Sequence, residues 1–600
     1  MIAQSRIAAF RLALCCCLLG GALSAASGPD VGFAGNRFRT ERQLRKVMRL
    51  QWPGGRFDRD TLLAGLARIE EFYRRQGFPD YSAAHRLRTD TTQAVVAVDV
   101  TIAEGGRYLV SAVEFAGNTR LADTTLGRAV RTRPGGPYDP AALGQDDFEL
   151  MLLYADYGMI YAETGHHAEI GGDRSVRVTF QIREGDPVRI GRIAVEGNRT
   201  VGNTAVLREL TVSGGDLFSN RELEKSRAQL MATDLFRQVE IEPGSLQPDG
   251  RLIDLSVRVR ERPRRRFETG FGYGSGDAFR VTTRWADRNL DGSGGSADLS
   301  GQVAFQLWSR VKLVRGLAQA GMRLPWTLGQ RWPLQARAYY DDIRPAYTDY
   351  RLQTVGGLVR SDRSLGRYLS LATTWRQEWL KLSPGWSGQE RTADTMGYRG
   401  HRAVAVLAGY ERTLDPVNPV RGLRGELETE YSGGLLGGID TYQRLNLTAT
   451  MMAGSAARPA ALAARVRLGI IGDWSRRHAV PVYQKYVLGG PTSLRGFALG
   501  RVGPVDAAGY PLGGDKMAMV NLEFRLRVHR NWRLVLFGDA GFVSNGSFGA
   551  VSLGQAVGSP GWGARYLLPF GAARLDLAAP WSRADHLRDW RVVVAWGEAF

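Results

Sequence analysis

Apolar and polar side chains alternate with a period of two through the C-terminal half of the chain, and this pattern constrains the fold more than any other sequence feature. In segment 517–528 the odd and even positions fall on opposite faces of an extended strand. The apolar face is formed by Ala518, Val520, Leu522, Phe524, Leu526 and Val528. The other face is mostly polar or charged, and segments 279–285, 423–431 and 590–596 alternate in the same way. A long series of such strands needs either a second sheet or lipid to cover its apolar face.

The number and length of these segments favour lipid. Residues 267–600 contain about sixteen alternating segments separated by turn clusters, or about 21 residues for each strand and connection, whereas a tilted strand crosses a bilayer in about 9–11 residues. An open sheet would leave unpaired backbone groups in hydrocarbon, so a membrane sheet must close. The sequence therefore predicts a transmembrane antiparallel β-barrel of about 16 strands over residues 264–600. The alternative, an array of soluble β-sandwiches, would require shorter strands.

The first 27 residues have the order of a secretion signal. A positively charged start is followed by an apolar run from Leu12 to Leu23 and by small residues at 24–27. This run of roughly a dozen residues is shorter than the ~20 that a membrane-spanning helix needs. We predict a cleaved signal peptide over 1–27; a membrane anchor and a lipoprotein signal are the alternatives. The three cysteines, Cys15–Cys17, all lie inside it, so the mature chain would have no disulfide.

The net charge of +19 first suggests nucleic acid as a partner. The basic residues, however, are spread through the chain at period two instead of forming blocks, and an exported protein does not meet nucleic acid. An arginine-lined lumen or an anionic membrane surface explains the charge better. We therefore expect outer-membrane lipid, and no nucleic acid, among the partners.

The N-terminal part of the chain contains three copies of one pattern. A Gly-Asn pair recurs with spacings of 82 and 80 residues, at Gly35-Asn36, Gly117-Asn118 and Gly197-Asn198. Each copy closes on an alternating strand that is followed by an acidic residue, Glu104, Glu184 or Glu261. The pattern predicts strand, helix, helix, strand, strand in each of 28–106, 107–187 and 188–263.

These repeats resemble the POTRA domain, the periplasmic module of outer-membrane assembly and transport proteins. POTRA domains bind extended polypeptide by adding it to a sheet edge, so the resemblance implies that the repeats handle unfolded chains. The fold class is then three α/β POTRA domains followed by the barrel. The alternative is that a given repeat acts only as a spacer.

The longest irregular stretch follows the eleventh predicted strand, at about 474–514, and carries an Arg-Gly-Phe tip. Each of the next two predicted strands carries a carboxylate on its polar face. The tip residues and these carboxylates are Arg495, Gly496, Phe497, Glu523 and Asp539. A guanidinium drawn into a lumen must find carboxylates or carry a desolvation cost of several kcal/mol. We predict that Arg495 pairs with both carboxylates, that Gly496 lets the chain turn back and that Phe497 packs under the loop. A solvated loop arginine is the alternative.

The combination of repeats, barrel and loop tip resembles the BamA/TamA family of outer-membrane assembly proteins, whose sixth extracellular loop folds into the barrel with a (V/L)-R-G-(F/Y) tip. Three POTRA domains are most similar to the TamA branch. The resemblance implies an outer-membrane location with periplasmic POTRA domains, and assembly and insertion of outer-membrane proteins, including autotransporters. It also implies two partners, unfolded outer-membrane protein clients and a TamB-like inner-membrane-anchored periplasmic protein. The alternative is a two-partner secretion transporter of the same superfamily, which would carry two POTRA domains.

Insertion would use the seam between the first and last barrel strands, where a poorly paired edge can template an incoming strand. The residues assigned to the seam and to the C-terminal signal are Phe271, Val594, Trp596, Gly597 and Phe600. Ordinary barrel packing is the alternative role for them.

Motifs for catalysis and metal binding are missing from the sequence. It contains no G-x-S-x-G, phosphate-binding glycine loop, C-x-x-C or H-E-x-x-H. The one adjacent histidine pair, His166-His167, would point to opposite faces of an extended segment. The sequence predicts no catalytic residues, no metal, no cofactor and no enzyme activity.

Overall fold

The computed structural model describes most of the chain after residue 28. The described ranges are 29–91, 94–248, 250–274, 278–306, 312–345, 347–348, 350–384, 396–414, 421–454, 459–473, 479–507, 509–545, 555–568, 571–582 and 589–597. The predicted signal peptide and Phe600 lie outside them. One compact unit contains the first two repeats and most of the third, and the other contains the C-terminal sheet with Gly197–Arg208 and Met231–Gln238. No helix of the described residues is long and apolar enough to cross a membrane.

Each repeat folds as strand, helix, helix, strand, strand, which confirms the predicted order. The first repeat consists of β1 (Asp30–Ala34), α1 (Glu41–Met48), α2 (Arg59–Arg75), β2 (Ser82–Thr89) and β3 (Val95–Ala103). The second consists of β4 (Leu109–Ala116), α3 (Asp123–Ala129), α4 (Pro140–Asp156), β5 (Glu163–Ile170) and β6 (Ser175–Arg183). The third consists of β7 (Arg189–Glu196), α5 (Asn203–Leu207), α6 (Asn220–Ala232), β8 (Phe236–Leu246) and β9 (Leu252–Glu261).

The last strand of each repeat lies in the middle of a three-stranded sheet. The strand orders are β1-β3-β2, β4-β6-β5 and β7-β9-β8, and the central strand pairs in parallel with the first strand of its repeat. Central strands carry the apolar residues that pack on the helices, such as Val178 and Phe180, both fully buried. The partner strand on the other side is an edge, and all eight residues of β2 are exposed.

The acidic residue that closes each repeat anchors the loop after its first strand. Glu184 accepts hydrogen bonds from Thr119 Oγ1 at 2.5 Å, Arg120 N at 2.8 Å and Tyr154 OH at 3.0 Å. Burial alone would raise the pKa of Glu184, but these hydrogen bonds lower it to about 2. The Gly-Asn turn is equally constrained, because Gly117 has φ 89° and a Cβ there would lie 2.1 Å from the carbonyl oxygen of Ile182.

The C-terminal half forms a single sheet of sixteen antiparallel strands in sequence order, which confirms the predicted strand number. The strands are β10 (Arg265–Gly274), β11 (Ala278–Asp287), β12 (Ser296–Gln306), β13 (Lys312–Leu324), β14 (Leu334–Ile343), β15 (Tyr350–Ser364), β16 (Leu369–Pro384), β17 (Met396–Leu414), β18 (Arg421–Ser432), β19 (Tyr442–Gly454), β20 (Ala460–Gly472), β21 (Lys516–Arg527), β22 (Trp532–Ser544), β23 (Val557–Leu568), β24 (Gly571–Ala578) and β25 (Arg591–Trp596).

Alternation along these strands separates an apolar outer face from a polar inner face. On β21, Leu522 and Phe524 are 54% and 41% exposed, whereas Glu523 between them is 2% exposed. The exposed apolar face is the one that a membrane covers. The longest connection, residues 473–515, follows β20, the eleventh strand, as predicted from the sequence.

The turn between β11 and β12 contacts the loop after β7 of the third repeat. Asn289 Nδ2 donates to Thr200 O at 2.9 Å, and Gly202 N donates to Gly292 O at 2.9 Å. This contact marks one end of the barrel. Counted from β10 as the first strand, every turn from an even to an odd strand lies at the end where β10 begins, and the β11–β12 turn is the first of these.

Candidate functional site

The tip of the 473–515 loop is a closed turn that presents Arg495. Gly490 N donates to Phe497 O at 2.9 Å, and Gly489 N donates to Ser493 Oγ at 3.0 Å. Gly489 has φ 109°, and a Cβ there would lie 2.1 Å from Ala498 O, so this position requires glycine. The backbone therefore fixes the direction in which Arg495 leaves the loop.

Arg495 reaches the inner face of the barrel and is 1% exposed. Its Nε and Nη2 donate to the two carboxylate oxygens of Asp539 at 2.9 and 2.7 Å, and its Nη1 donates to Glu523 Oε1 at 2.6 Å. The Arg495 backbone N adds a bond to Asp539 Oδ2 at 3.1 Å. The guanidinium carbon also lies 3.4 Å from the ring centroid of Phe537, which adds a cation–π contact. The structure thus brings together the three charged residues selected from the sequence.

Four charged residues that sequence reasoning missed complete the group. A third carboxylate, Asp576 on β24, lies 3.5 Å from Arg495 Nη1. Three strand arginines, all under 5% exposed, surround the carboxylates: Arg525, Arg565 and Arg574. We call Arg495, Glu523, Asp539, Asp576, Arg525, Arg565 and Arg574 the lumen cluster. A usable signal existed, because Arg574 and Asp576 alternate with apolar residues on β24 and therefore share its inner face.

The two predicted carboxylates differ in the number of arginines that contact them. Glu523 also accepts from Arg525 Nε at 2.8 Å and lies 3.7 Å from Arg565 Nη2. Asp539, among the described residues, accepts side-chain hydrogen bonds from Arg495 and from Asn521 Nδ2, the latter at 2.8 Å. Among the described residues Arg495 is therefore the cation whose hydrogen bonds to Asp539 are recorded, whereas Glu523 contacts several arginines.

Gly496 and Phe497 fix the tip against the wall. Gly496 N donates to Ser559 Oγ at 2.5 Å, and a Cβ at position 496 would lie 2.7 Å from the carbonyl group of Ala579. The expected turn at Gly496 is not the reason for glycine, since its φ is not positive; the reason is this close approach. Phe497 is half-buried and packs on the apolar cluster that includes Leu488 and Leu494.

A second set of contacts holds the beginning of the loop to the neighbouring part of the wall, at β19. Tyr483 OH donates to Asp440 Oδ2 at 2.7 Å, and Tyr486 OH donates to Asn446 Oδ1 at 2.7 Å. Arg444 Nη2 donates to Gln484 Oε1 at 2.6 Å. The loop is thus attached to β19 and the connection before it through one segment and to β21–β24 through the other.

The seam residues lie on the two edges of the sheet. Within the described residues β10 pairs with β11 and β25 pairs with β24, and no ladder joins β10 to β25, although their Cα atoms approach within 8 Å. Phe271, Val594 and Trp596 are 74%, 46% and 51% exposed on the apolar face. Gly597, with φ 90°, donates from its N to Ala572 O at 2.7 Å, next to the Trp596–Ala573 pair of β25 and β24.

Comparisons with known protein families match nearly all of the chain after the predicted signal peptide. The Omp85 superfamily domain matches residues 289–600. The POTRA family, described as surface antigen variable number repeat, matches residues 30–105, 108–185 and 188–262.

Relatives carry the name outer membrane protein assembly factor BamA. The protein from Nitratidesulfovibrio vulgaris is 27% identical over 448 residues, which cover 73% of this chain and 54% of that protein. The protein from Neisseria meningitidis serogroup B is 22% identical over 568 residues, 86% of this chain and 68% of that one. The chain thus spans about half the length of the first of these relatives.

Among solved structures, the crystal structure of BamA from Haemophilus ducreyi lacking POTRA domains 1–3 shares the fold. It has a TM-score of 0.66 at 18% sequence identity and covers 82% of this chain and all of that one.

Proposed function

This chain belongs to the Omp85 superfamily, and on that premise we propose that it assembles and inserts β-barrel proteins in the outer membrane. It is an outer-membrane protein whose POTRA repeats lie in the periplasm. In this proposal the signal peptide 1–27 is removed on export, the repeats receive unfolded client strands and the barrel seam templates their insertion. No covalent step is involved; the work consists of strand pairing.

The observation that carries the proposal is the pair of free sheet edges at the seam. Strand β10 spans ten residues and β25 spans six, and in the described residues neither pairs with a strand on its outer side. Unpaired backbone N–H and C=O groups in hydrocarbon are costly, so a client strand that pairs with them is stabilised. An edge facing the bilayer therefore favours strand addition from within the membrane.

The repeats can also bind client chains by strand pairing. Strand β2 is an exposed sheet edge with all eight side chains accessible, so an extended peptide can bond to its backbone. Backbone pairing accepts many sequences, which suits a receiver of diverse clients.

The lumen cluster, in this proposal, stabilises the barrel while the seam stays weak. The loop packs inside the lumen against β19 and against β21–β24, so it braces this part of the sheet without a β10–β25 ladder. Arg495, Gly496, Phe497, Glu523 and Asp539 are then structural residues of the loop and barrel and do no chemistry.

Three repeats support a finer assignment to the TamA-like branch, with autotransporters among the clients and a TamB-like inner-membrane-anchored periplasmic protein as partner. A dedicated secretion transporter would carry two repeats, and the chain carries three. Affinity purification of the full chain from membranes should recover a large periplasmic protein anchored in the inner membrane. Recovery of one secreted partner in its place would contradict this assignment.

The direct test of the assembly function is client folding. Urea-unfolded outer-membrane barrels are diluted into phospholipid vesicles with and without the full chain, and folding is followed by heat-modifiable migration. We expect faster folding of several unrelated clients when the chain is present. A rate equal to that in vesicles carrying an unrelated outer-membrane barrel would refute the proposal.

A further inference from the structure

Arginines stack on aromatic rings at one rim of the outer barrel face. The guanidinium carbon of Arg363 lies 5.6 Å from the ring centroid of Trp332. Those of Arg367 and Arg412 lie 5.4 and 5.5 Å from the ring centroid of Tyr368. We call Trp332, Arg363, Arg367, Tyr368 and Arg412 the basic rim. Stacking holds each guanidinium over a ring and leaves its N–H edge available to a ligand.

The basic rim faces the membrane and not the lumen. Arg363 projects from the same face of β15 as Val355 and Val359, which are 42% and 41% exposed. Arg412 follows Tyr410 on the same face of β17, and Tyr410 pairs with Leu369, which is 52% exposed. Both arginines therefore project on the apolar side of the sheet.

The rim lies at the periplasmic end of the barrel. Residues 365–368 connect β15 to β16, the sixth and seventh strands, and so lie at the end where β10 begins. The chain enters β10 from the periplasmic repeats, which places this end at the periplasmic leaflet. A phospholipid headgroup is thus the polar group nearest to the rim.

Among the residues that the structure describes, no ion pair neutralises the positive charge of the rim. Within the described residues no carboxylate oxygen lies within 4 Å of the side-chain nitrogens of Arg363, Arg367 or Arg412. Arg421, on the outward phase of β18 beside Arg412, adds a fourth exposed cation. A planar guanidinium matches phosphate oxygens in pairs, so an anionic phosphate complements this surface.

An apolar groove continues from the rim toward the middle of the membrane. It has a volume of about 540 Å³. Its floor is made of small residues, Ala320, Ala336, Ala338 and Gly357, and its walls include Met322 and Trp375. Val359, which also lines it, is four residues from Arg363, or about 13 Å along the strand. That separation is in the range between a phosphate and the upper part of its acyl chain.

We propose that the basic rim and this groove together bind a phospholipid with an anionic headgroup from the periplasmic leaflet. The phosphate lies between the arginines, and an acyl chain fills the groove over Ala338. The site is on strands β13–β18, away from the seam, so the proposal does not depend on the identity of the clients.

The test is a binding titration on the full chain in neutral detergent, read by native mass spectrometry. The probes are short-chain phosphatidylglycerol, phosphatidylcholine of the same chain length, and inorganic phosphate. We expect phosphatidylglycerol to bind more tightly than phosphatidylcholine. Arg363→Gln and Arg412→Gln should each weaken phosphatidylglycerol binding about fivefold, the effect of one arginine near an anionic lipid surface. Heat-modifiable migration verifies that each variant is folded.

Arg360→Gln is the matched control. Arg360 lies on the same strand and carries the same charge, but its side chain projects from the opposite face of the sheet. It should leave binding unchanged. Ala338→Phe, which fills the groove, should weaken phosphatidylglycerol binding without changing the charge. Equal losses in Arg360→Gln and Arg363→Gln would overturn the proposal, as would equal affinity for the two lipids. Displacement of the lipid by an equal concentration of inorganic phosphate would show a free-anion site instead and would also overturn it.

Discussion

The lumen cluster predicts unequal coupling of Arg495 to its two main carboxylates. The perturbations are Arg495→Gln, Asp539→Asn and Glu523→Gln, which remove charge with little change of volume. Each is made singly, and Arg495→Gln is combined with each of the other two. Because all three side chains are at most 2% exposed, their interactions are little screened by water.

The size of each coupling energy follows from the hydrogen bonds and cations that each carboxylate keeps when Arg495 is replaced by glutamine. Asp539 loses the bonds from Nε and Nη2 and keeps only two neutral donors, the Asn521 amide and the backbone N–H of residue 495. This situation approaches a buried charge left without its cation, at a cost of about 3–5 kcal/mol. Glu523 loses one bond but keeps Arg525 at 2.8 Å, so its loss is closer to one charged hydrogen bond, about 1.5–3 kcal/mol. We expect a coupling energy of about 3 kcal/mol for Arg495–Asp539 and about 1.5 kcal/mol for Arg495–Glu523.

The assay is urea unfolding of the full chain in vesicles, with limited proteolysis of the loop between residues 479 and 513 as a second readout. Arg495→Gln and Asp539→Asn should expose the loop to protease more than Glu523→Gln does. Equal coupling energies for the two pairs would refute the assignment of Asp539 as the main partner. Additive losses in both cycles, with unchanged protease resistance, would reduce Arg495 to a residue with no role in holding the loop.

Three further outcomes are expected. Gly496→Ala should expose the loop to protease as strongly as Arg495→Gln, because its Cβ would lie 2.7 Å from Ala579, whereas Gly472→Ala, with open space around it, should not. Glu184 has a lowered pKa, so its stabilisation of the second repeat is complete above about pH 4.5 and is lost as the pH falls toward about 2. Hydrogen exchange of segment 117–121 in the full chain should rise over that range, and Glu184→Gln should abolish the change. N-terminal sequencing of the exported protein should find a mature start between about residues 25 and 29, and a retained Met1 would contradict the signal peptide.

The sequence specifies the strands well because their signal is local. A strand with one face in lipid must alternate, so Leu522, Glu523 and Phe524 already reveal which side is inward. The same phase argument selects Glu523 and Asp539 as possible partners for the loop arginine. The repeats are equally readable, because a Gly-Asn turn and a closing glutamate recur at nearly constant spacing.

Features that depend on register between distant strands could not be read in this way. Asp576 joins the lumen cluster only because β24 brings it within 3.5 Å of Arg495, 81 residues earlier in the chain. Gly496 is required by the approach of Ala579, which no local pattern encodes. The basic rim likewise combines Trp332, Tyr368 and Arg412 from three separate parts of the chain.

The central claim, that the seam opens to template client strands, is tested most directly by locking it. Cysteines replace Phe271 on β10 and Val594 on β25, or the neighbouring outward pair whose Cα atoms lie within about 7 Å. The chain has no cysteine outside positions 15–17, so once the signal peptide is removed the two introduced cysteines have no other thiol in the chain to pair with. The matched control joins Ala408 and Leu427, which are already paired in β17 and β18.

Client folding into vesicles is then timed for both bridged proteins, oxidised and reduced. The account predicts that oxidation of the β10–β25 bridge abolishes the acceleration of client folding and that reduction restores it, while the β17–β18 bridge has no effect in either state. Equal acceleration by the fully oxidised β10–β25 protein would contradict the claim that the seam must open.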